Sequence, residues 1–173
     1  TILLSPDTAQ NYEAVEGMQV SVATGTAEAL TIIENYNLDR YGQIKISAGT
    51  QTQPTQLYDA QTEAAEIAQL AEANANAALL IDDGSSAQNP DAFEFLPGGA
   101  GDNGDGYLDV GDDFSLSTVR LGAEITSTVE GVLTFAFGDW TVFASETLEI
   151  DESTNSGARE ATPADVGGTL QVA

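Results

Sequence analysis

Twenty-eight aspartates and glutamates stand against four lysines and arginines, giving a net charge of −24 on 173 residues. The acids are spread along the whole chain rather than gathered in one run. Aliphatic and aromatic residues remain frequent enough to fill a core, so this is not a disordered acidic tail. The length fits one domain with a large insertion. A basic patch is ruled out, and phosphate-driven nucleic-acid binding is disfavoured by composition alone. Histidine and cysteine are absent. That removes the commonest general base, transition-metal ligand and soft nucleophile, and leaves the chain poorly equipped for catalysis at neutral pH. An even acidic coat suits salty surroundings, where at about 1 M salt a Debye length of about 3 Å screens the self-repulsion.

The apolar pattern alternates in the first half of the chain. Residues 18–22 read as a half-buried strand, residues 29–34 as a β-branched strand, and residues 41–47 as a third strand whose apolar members are Tyr41, Ile44 and Ile46. Residues 50–58 are polar, include Pro54, and read as loop. The period then changes. Asp59 can cap a helix over about residues 60–79, with Ile67, Leu70, Ala71, Asn74, Ala77 and Ala78 on one face. Asp82, Asp83, Gly84, Ser85 and Ser86 signal a turn. Residues 85–122 read as an irregular insertion anchored by Phe93, Phe95, Leu96 and Phe114. A hairpin follows, with arms 125–137 and 140–144 around Gly138 and Asp139, and with Gly131 marking a bulge or bend. Residues 147–150 would continue the second arm.

The order is three strands, one helix and two long strands. It predicts a mainly β fold with one helix: an OB-like five-stranded Greek-key barrel over residues 1–150, its helix between strands three and four and its insertion before strand four. Residues 151–168 read as a linker. No run of about 18 apolar residues offers a transmembrane helix. The start at Thr1 and the incipient strand at 169–173 predict a domain excised from something longer.

Several segments carry a resemblance. Glu16-Gly17-Met18, Glu34-Asn35-Tyr36-Asn37-Leu38, Arg40-Tyr41-Gly42, Gln53-Pro54-Thr55, Ala73-Asn74, the turn at 82–86, Asn89-Pro90, Gly131-Val132-Leu133 and Phe137-Gly138 occur in one order and spacing. Together they resemble the region before the catalytic domain in ExeM/NucH-type secreted bacterial endonucleases. Those enzymes belong to the endonuclease/exonuclease/phosphatase superfamily. Residues 163–173 resemble the entry into that catalytic domain, so that 169–173 would begin a truncated nuclease domain. The resemblance covers nearly the whole chain except residues 98–115. It implies a non-catalytic accessory domain of a secreted, extracellular DNA-degrading nuclease from a saline setting. A downstream nuclease domain would be its partner in cis, and Mg²⁺ or a similar divalent ion would be confined to that missing catalytic part. The chain departs from the family at Ala75, Asn76, Ala77 and Ala78, where arginines are often found.

Two constellations could carry chemistry. Residues 101–112 follow the spacing of a calcium loop: Asn103 at position 3, Asp105 at 5, Gly106 at the turn, the Tyr107 carbonyl at 7, Asp109 at 9 and Asp112 at 12. Gly101 occupies position 1, where Asp102, Asp113 or a water could compensate. The alternative is an acidic glycine-rich loop in an acidic protein. Tyr36, Arg40, Tyr41 and Lys45 lie on or near strands two and three, where OB folds stack bases, and the aromatic pair would otherwise be barrel core. Asp82 and Asp83 read as turn or capping residues rather than an acid/base pair, and Trp140 as a core plug. Two functions stay open: a domain that positions the nuclease or helps present DNA, and a purely structural, calcium-stiffened spacer without ligand. DNA would be bound weakly or only by the full-length protein, and the domain itself would be monomeric.

Overall fold

A computed structural model describes residues 1–155 of the chain. The described residues hold ten strands: β1 (Ile2–Leu4), β2 (Gln19–Thr24), β3 (Leu30–Glu34), β4 (Gln43–Ala48), β5 (Ala78–Asp82), β6 (Ala92–Phe93), β7 (Leu108–Asp109), β8 (Glu124–Ile125), β9 (Val129–Ala136) and β10 (Asp139–Ala144). Four α-helices accompany them among the described residues: α1 (Leu38–Tyr41), α2 (Pro54–Leu57), α3 (Ala64–Asn76) and α4 (Glu152–Asn155). Eight strands form one curled sheet in the order β1-β2-β9-β10-β5-β4-β3-β8, and β6 and β7 form a separate pair. β1 runs parallel to β2 and β5 parallel to β10. The other pairings are antiparallel.

Period-2 alternation turns one side chain in two to the concave face. Val20, Val22, Ile32, Ile44, Ile46, Leu79, Ile81, Val129, Leu133 and Val142 converge there and are buried. Each such side chain contributes about 1.5–3 kcal/mol on leaving water. The insertion adds to the same core: Phe93, Phe95, Leu96 and Leu108 are buried with the strand residues. The fold is thus mainly β, a curled sheet of barrel type.

The sheet holds eight strands, not the five expected from the sequence. The helix is shorter than its pattern suggested, because Ala78, Leu79, Leu80, Ile81 and Asp82 form β5 in the middle of the sheet rather than a last helical turn. The helix therefore lies between β4 and β5. Alanine favours helix intrinsically, but pairing with both β4 and β10 wins at this segment. α3 buries no residue completely. Its supposed cap residue Asp59 instead shapes the preceding turn, accepting from Gln61 N at 2.7 Å, while Glu63 Oε2 accepts from Asp59 N at 2.7 Å.

Other boundaries move for local reasons. Tyr41 ends α1 rather than opening a strand, and Gly42 closes that helix at φ 66°. Phe114 is exposed instead of anchoring the insertion. The hairpin turn is formed by Phe137 and Gly138, both at positive φ (55° and 98°), between the paired residues Ala136 and Asp139. That is one residue earlier than Gly138 and Asp139 suggested, and two positive φ values define a type I′ turn. Gly131 sits in regular pairing with Val20 and Ala144. It is glycine because a Cβ there would stand 2.6 Å from Val142 Cγ1 and press on the Phe143 carbonyl. The bulge lies elsewhere, in β3 between Ile32 and Glu34. Residues 147–150 leave the hairpin: Leu148 N donates to Phe95 O, and Ile150 bridges to Ile125.

Residues 151–155 are packed onto the domain rather than linker. Asn155 is buried; its Nδ2 donates to Thr118 O at 2.7 Å and its Oδ1 accepts from Arg120 N at 3.0 Å. The remainder of the expected linker and the nuclease-like stretch 169–173 lie outside the described residues.

Candidate functional site

The glycine-rich loop is organised by its own carboxylates. Glycines at positive φ (Gly104 at 111°, Gly106 at 92°) turn the backbone N–H groups inward, and Asp102 collects them. Its Oδ1 accepts from Gly104 N at 2.8 Å, Asp105 N at 3.2 Å and Gly106 N at 3.2 Å. Those N–H groups hold the Asp102 carboxyl below the usual carboxylate range. Asp112 is buried and closes the loop from the far end, accepting from Asn103 N at 3.0 Å and Asp109 N at 3.2 Å. Asn103 Nδ2 donates to Asp109 Oδ1 at 3.0 Å, which also accepts from Gly111 N.

Template positions 3, 9 and 12 are therefore drawn together. Asp105 instead accepts from Tyr107 N at 3.2 Å, and its charge raises the Tyr107 phenol. Asp113 turns away to Ser115, whose hydroxyl and then N–H lower it. Among the described residues, no three acidic side chains stand grouped to hold a metal ion. Asp102, one place after the template's first position, emerges as the loop's organiser.

The second constellation is only partly assembled. Tyr36 is 87% exposed just before α1, and Tyr41 is 39% exposed at its end. Arg40 is held between neighbours. Its Nη2 donates to Gln88 Oε1 at 2.8 Å, and its guanidinium lies 5.6 Å from the Tyr41 ring centroid. The two tyrosines are thus surface side chains rather than barrel core. Lys45 is not joined to these three. It stands half-buried on β4, opposite Glu34 of β3 and Leu80 of β5.

Asp82 and Asp83 serve the turn that follows β5. Asp82 accepts from Gly84 N and from Gln43 Nε2, each at 2.7 Å, and Asp83 accepts from Ser85 N at 2.7 Å. Partial burial, and then the neighbouring Asp82 charge, raise the Asp83 carboxyl against the opposing Ser85 N–H. Asp83 lines a cleft of about 620 Å³ with Glu94, Tyr107 and Glu146.

Sequence reasoning missed an aromatic row at the hairpin. Trp140 is half-buried between Tyr12, at 5.6 Å between ring centroids, and Phe135, at 5.2 Å. Phe137 projects fully exposed from the turn beside them. The signal available was the Phe-Ala-Phe-Gly-Asp-Trp run, in which aromatics alternate up to the turn.

A family described as a domain of unknown function (DUF8508) matches residues 5–155. The chain belongs to that family. No curated protein and no solved structure matches it. The matched span ends at Asn155, the residue whose side chain fastens α4 to the domain.

Proposed function

We propose that this domain is a non-catalytic accessory module of a secreted, salt-adapted DNA-degrading nuclease, related to the ExeM/NucH type, which positions the catalytic domain or assists DNA presentation. Strand pairing is the observation that carries the reading. In an OB barrel the long first strand pairs with strands two and four, and strand three runs parallel to strand five. Taking β2 and β3 as one interrupted first strand, with β4, β5, β9 and β10 as strands two to five, reproduces each of those pairings. β1, β6, β7 and β8 are then elaborations, and the helix has moved to the connection between strands two and three. The exposed Tyr36 and Tyr41 add support, because base stacking tolerates salt where phosphate contacts do not.

The absence of histidine and cysteine supports a non-catalytic role. Plasmid DNA incubated with the purified domain, Mg²⁺ and Ca²⁺ should stay intact. Cleavage that follows the protein through purification would overturn the proposal.

A calcium-stiffened spacer is the second reading. It is favoured by the closure of Asn103, Asp109 and Asp112 on one another. Ca²⁺ would need oxygens now accepting backbone N–H groups to turn inward. Calorimetry on wild type and on the Asp105→Ala, Asp109→Ala double variant decides it. Calcium binding lost in the variant supports the spacer, whereas binding that survives, or that is absent from both, counts against it.

A further inference from the structure

Lys45 is the single lysine in a chain of 173 residues. Its position on β4 leaves it half-buried on the face opposite the buried Ile44 and Ile46. There it lines a cleft of about 570 Å³ with Glu34, Thr50, Gln51, Asn74 and Leu121. Among the described residues no hydrogen bond or ion pair holds its ammonium group. A half-buried ammonium group that makes no hydrogen bond in the cleft keeps its donors open to a ligand, and elsewhere this surface has almost dispensed with cations.

The surrounding cleft is built and held. Gln51 Nε2 donates to Ser47 Oγ at 3.0 Å and to Asn74 O at 2.6 Å, and Asn74 Nδ2 donates to Thr52 O at 3.0 Å. These bonds tie the 50–53 loop to both β4 and α3. Leu121, 60% exposed, supplies an apolar wall. The volume falls within the range of about 300–1,000 Å³ usual for small-molecule sites.

We infer that this cleft binds a small molecule bearing one anionic group, a carboxylate or a phosphate monoester. The anion would sit on Lys45 and the body of the ligand against Leu121. Glu34 is the one acid among the described residues lining the cleft, so Lys45 and Glu34 cancel and leave no excess positive charge for a polyanion. The surrounding net charge of −24 further rejects one. The inference does not depend on the nuclease reading.

The single lysine makes the test specific. Amine-reactive labelling modifies only Lys45 and the Thr1 amine, which fragment masses distinguish, so Thr1 is an internal control. The probes are thymidine 5′-monophosphate and butyrate, with thymidine and butanol as uncharged counterparts. At ten times its Kd an occupying ligand leaves about a tenth of sites free, so labelling of Lys45 should slow about ten-fold while Thr1 is unchanged. Protection by the nucleotide assigns a nucleotide source and protection by butyrate a carboxylate source; either supports the site. The inference is overturned if neither anion protects, if the uncharged counterparts protect equally, or if calorimetry shows the protecting anion binding undiminished to Lys45→Met.

Discussion

Tyr12 shows how one atom sets a local cost. Its ring packs at a tilt against Trp140, yet its buried hydroxyl has no hydrogen-bond partner among the described residues. Burial pushes the phenol up to about 12. A raised acid pKa means that the folded state holds its proton where the unfolded chain, near the ordinary value of about 10, releases it. Stability from this group is therefore complete below about pH 10 and declines from there to about pH 12. Tyr12→Phe removes the orphan hydroxyl while keeping the ring. It should raise stability by about 1 kcal/mol and flatten the decline above pH 10, as read by urea unfolding across pH. Phe137 makes a complementary point. A bulky side chain at φ 55° in a type I′ turn occupies a position that asparagine fills without strain. Phe137→Asn should raise the thermal midpoint, by about 1 kcal/mol in stability terms; a lower midpoint would mean that the exposed ring contributes to the fold.

The elements separate what was readable in the sequence from what was not. β2 and β4 were legible from apolar–polar alternation, β3 from its β-branched run, and β9 as an arm of the hairpin around Gly138. β5 was not, since Ala-Leu-Leu-Ile directly after an alanine-rich helix has no break in composition, and only its two neighbouring strands make it a strand. β1, β6, β7 and β8 are three residues or fewer, too short for any period to show. The Asp-rich loop was legible as a loop. The direction of its carboxylates was not, because the same residue spacing serves a cation or the loop's own N–H groups. α4 reads as linker because Glu-Ser-Thr-Asn is polar throughout, whereas its attachment rests on hydrogen bonds joining Asp151, Thr154 and Asn155 to Glu124, Thr118 and Arg120. Asn155 Nδ2 donates to Thr118 O, while Thr118 Oγ1 donates to Asn155 O. Asn155→Ala removes the part-buried hydrogen bonds to Thr118 O and Arg120 N, and should cost about 0.5–1.5 kcal/mol, measured by chemical denaturation. A loss below a few tenths would return residues 151–155 to the linker.

At the scale of the whole molecule, charge governs. Two dozen uncompensated negative charges repel one another across a small surface, and salt screens that repulsion. The thermal midpoint should climb between dilute buffer and about 3 M salt. A flat or falling midpoint would remove the argument for salt adaptation. The same charge sets the terms on which nucleic acid can be met. Duplex binding by counterion release needs several cations on one surface, and among the described residues Arg40 is the one cation seen against an exposed tyrosine, Tyr41. What remains is stacking on Tyr36 and Tyr41, about 1–3 kcal/mol per base.

Fluorescence anisotropy of the domain with labelled single-stranded and duplex oligonucleotides, from low to molar salt, tests DNA presentation most directly. Weak binding that prefers single strands, changes little with salt and disappears in a Tyr36→Ala, Tyr41→Ala variant is the predicted result; tight duplex binding with a steep salt slope, or single-strand binding that survives the double variant, would contradict it.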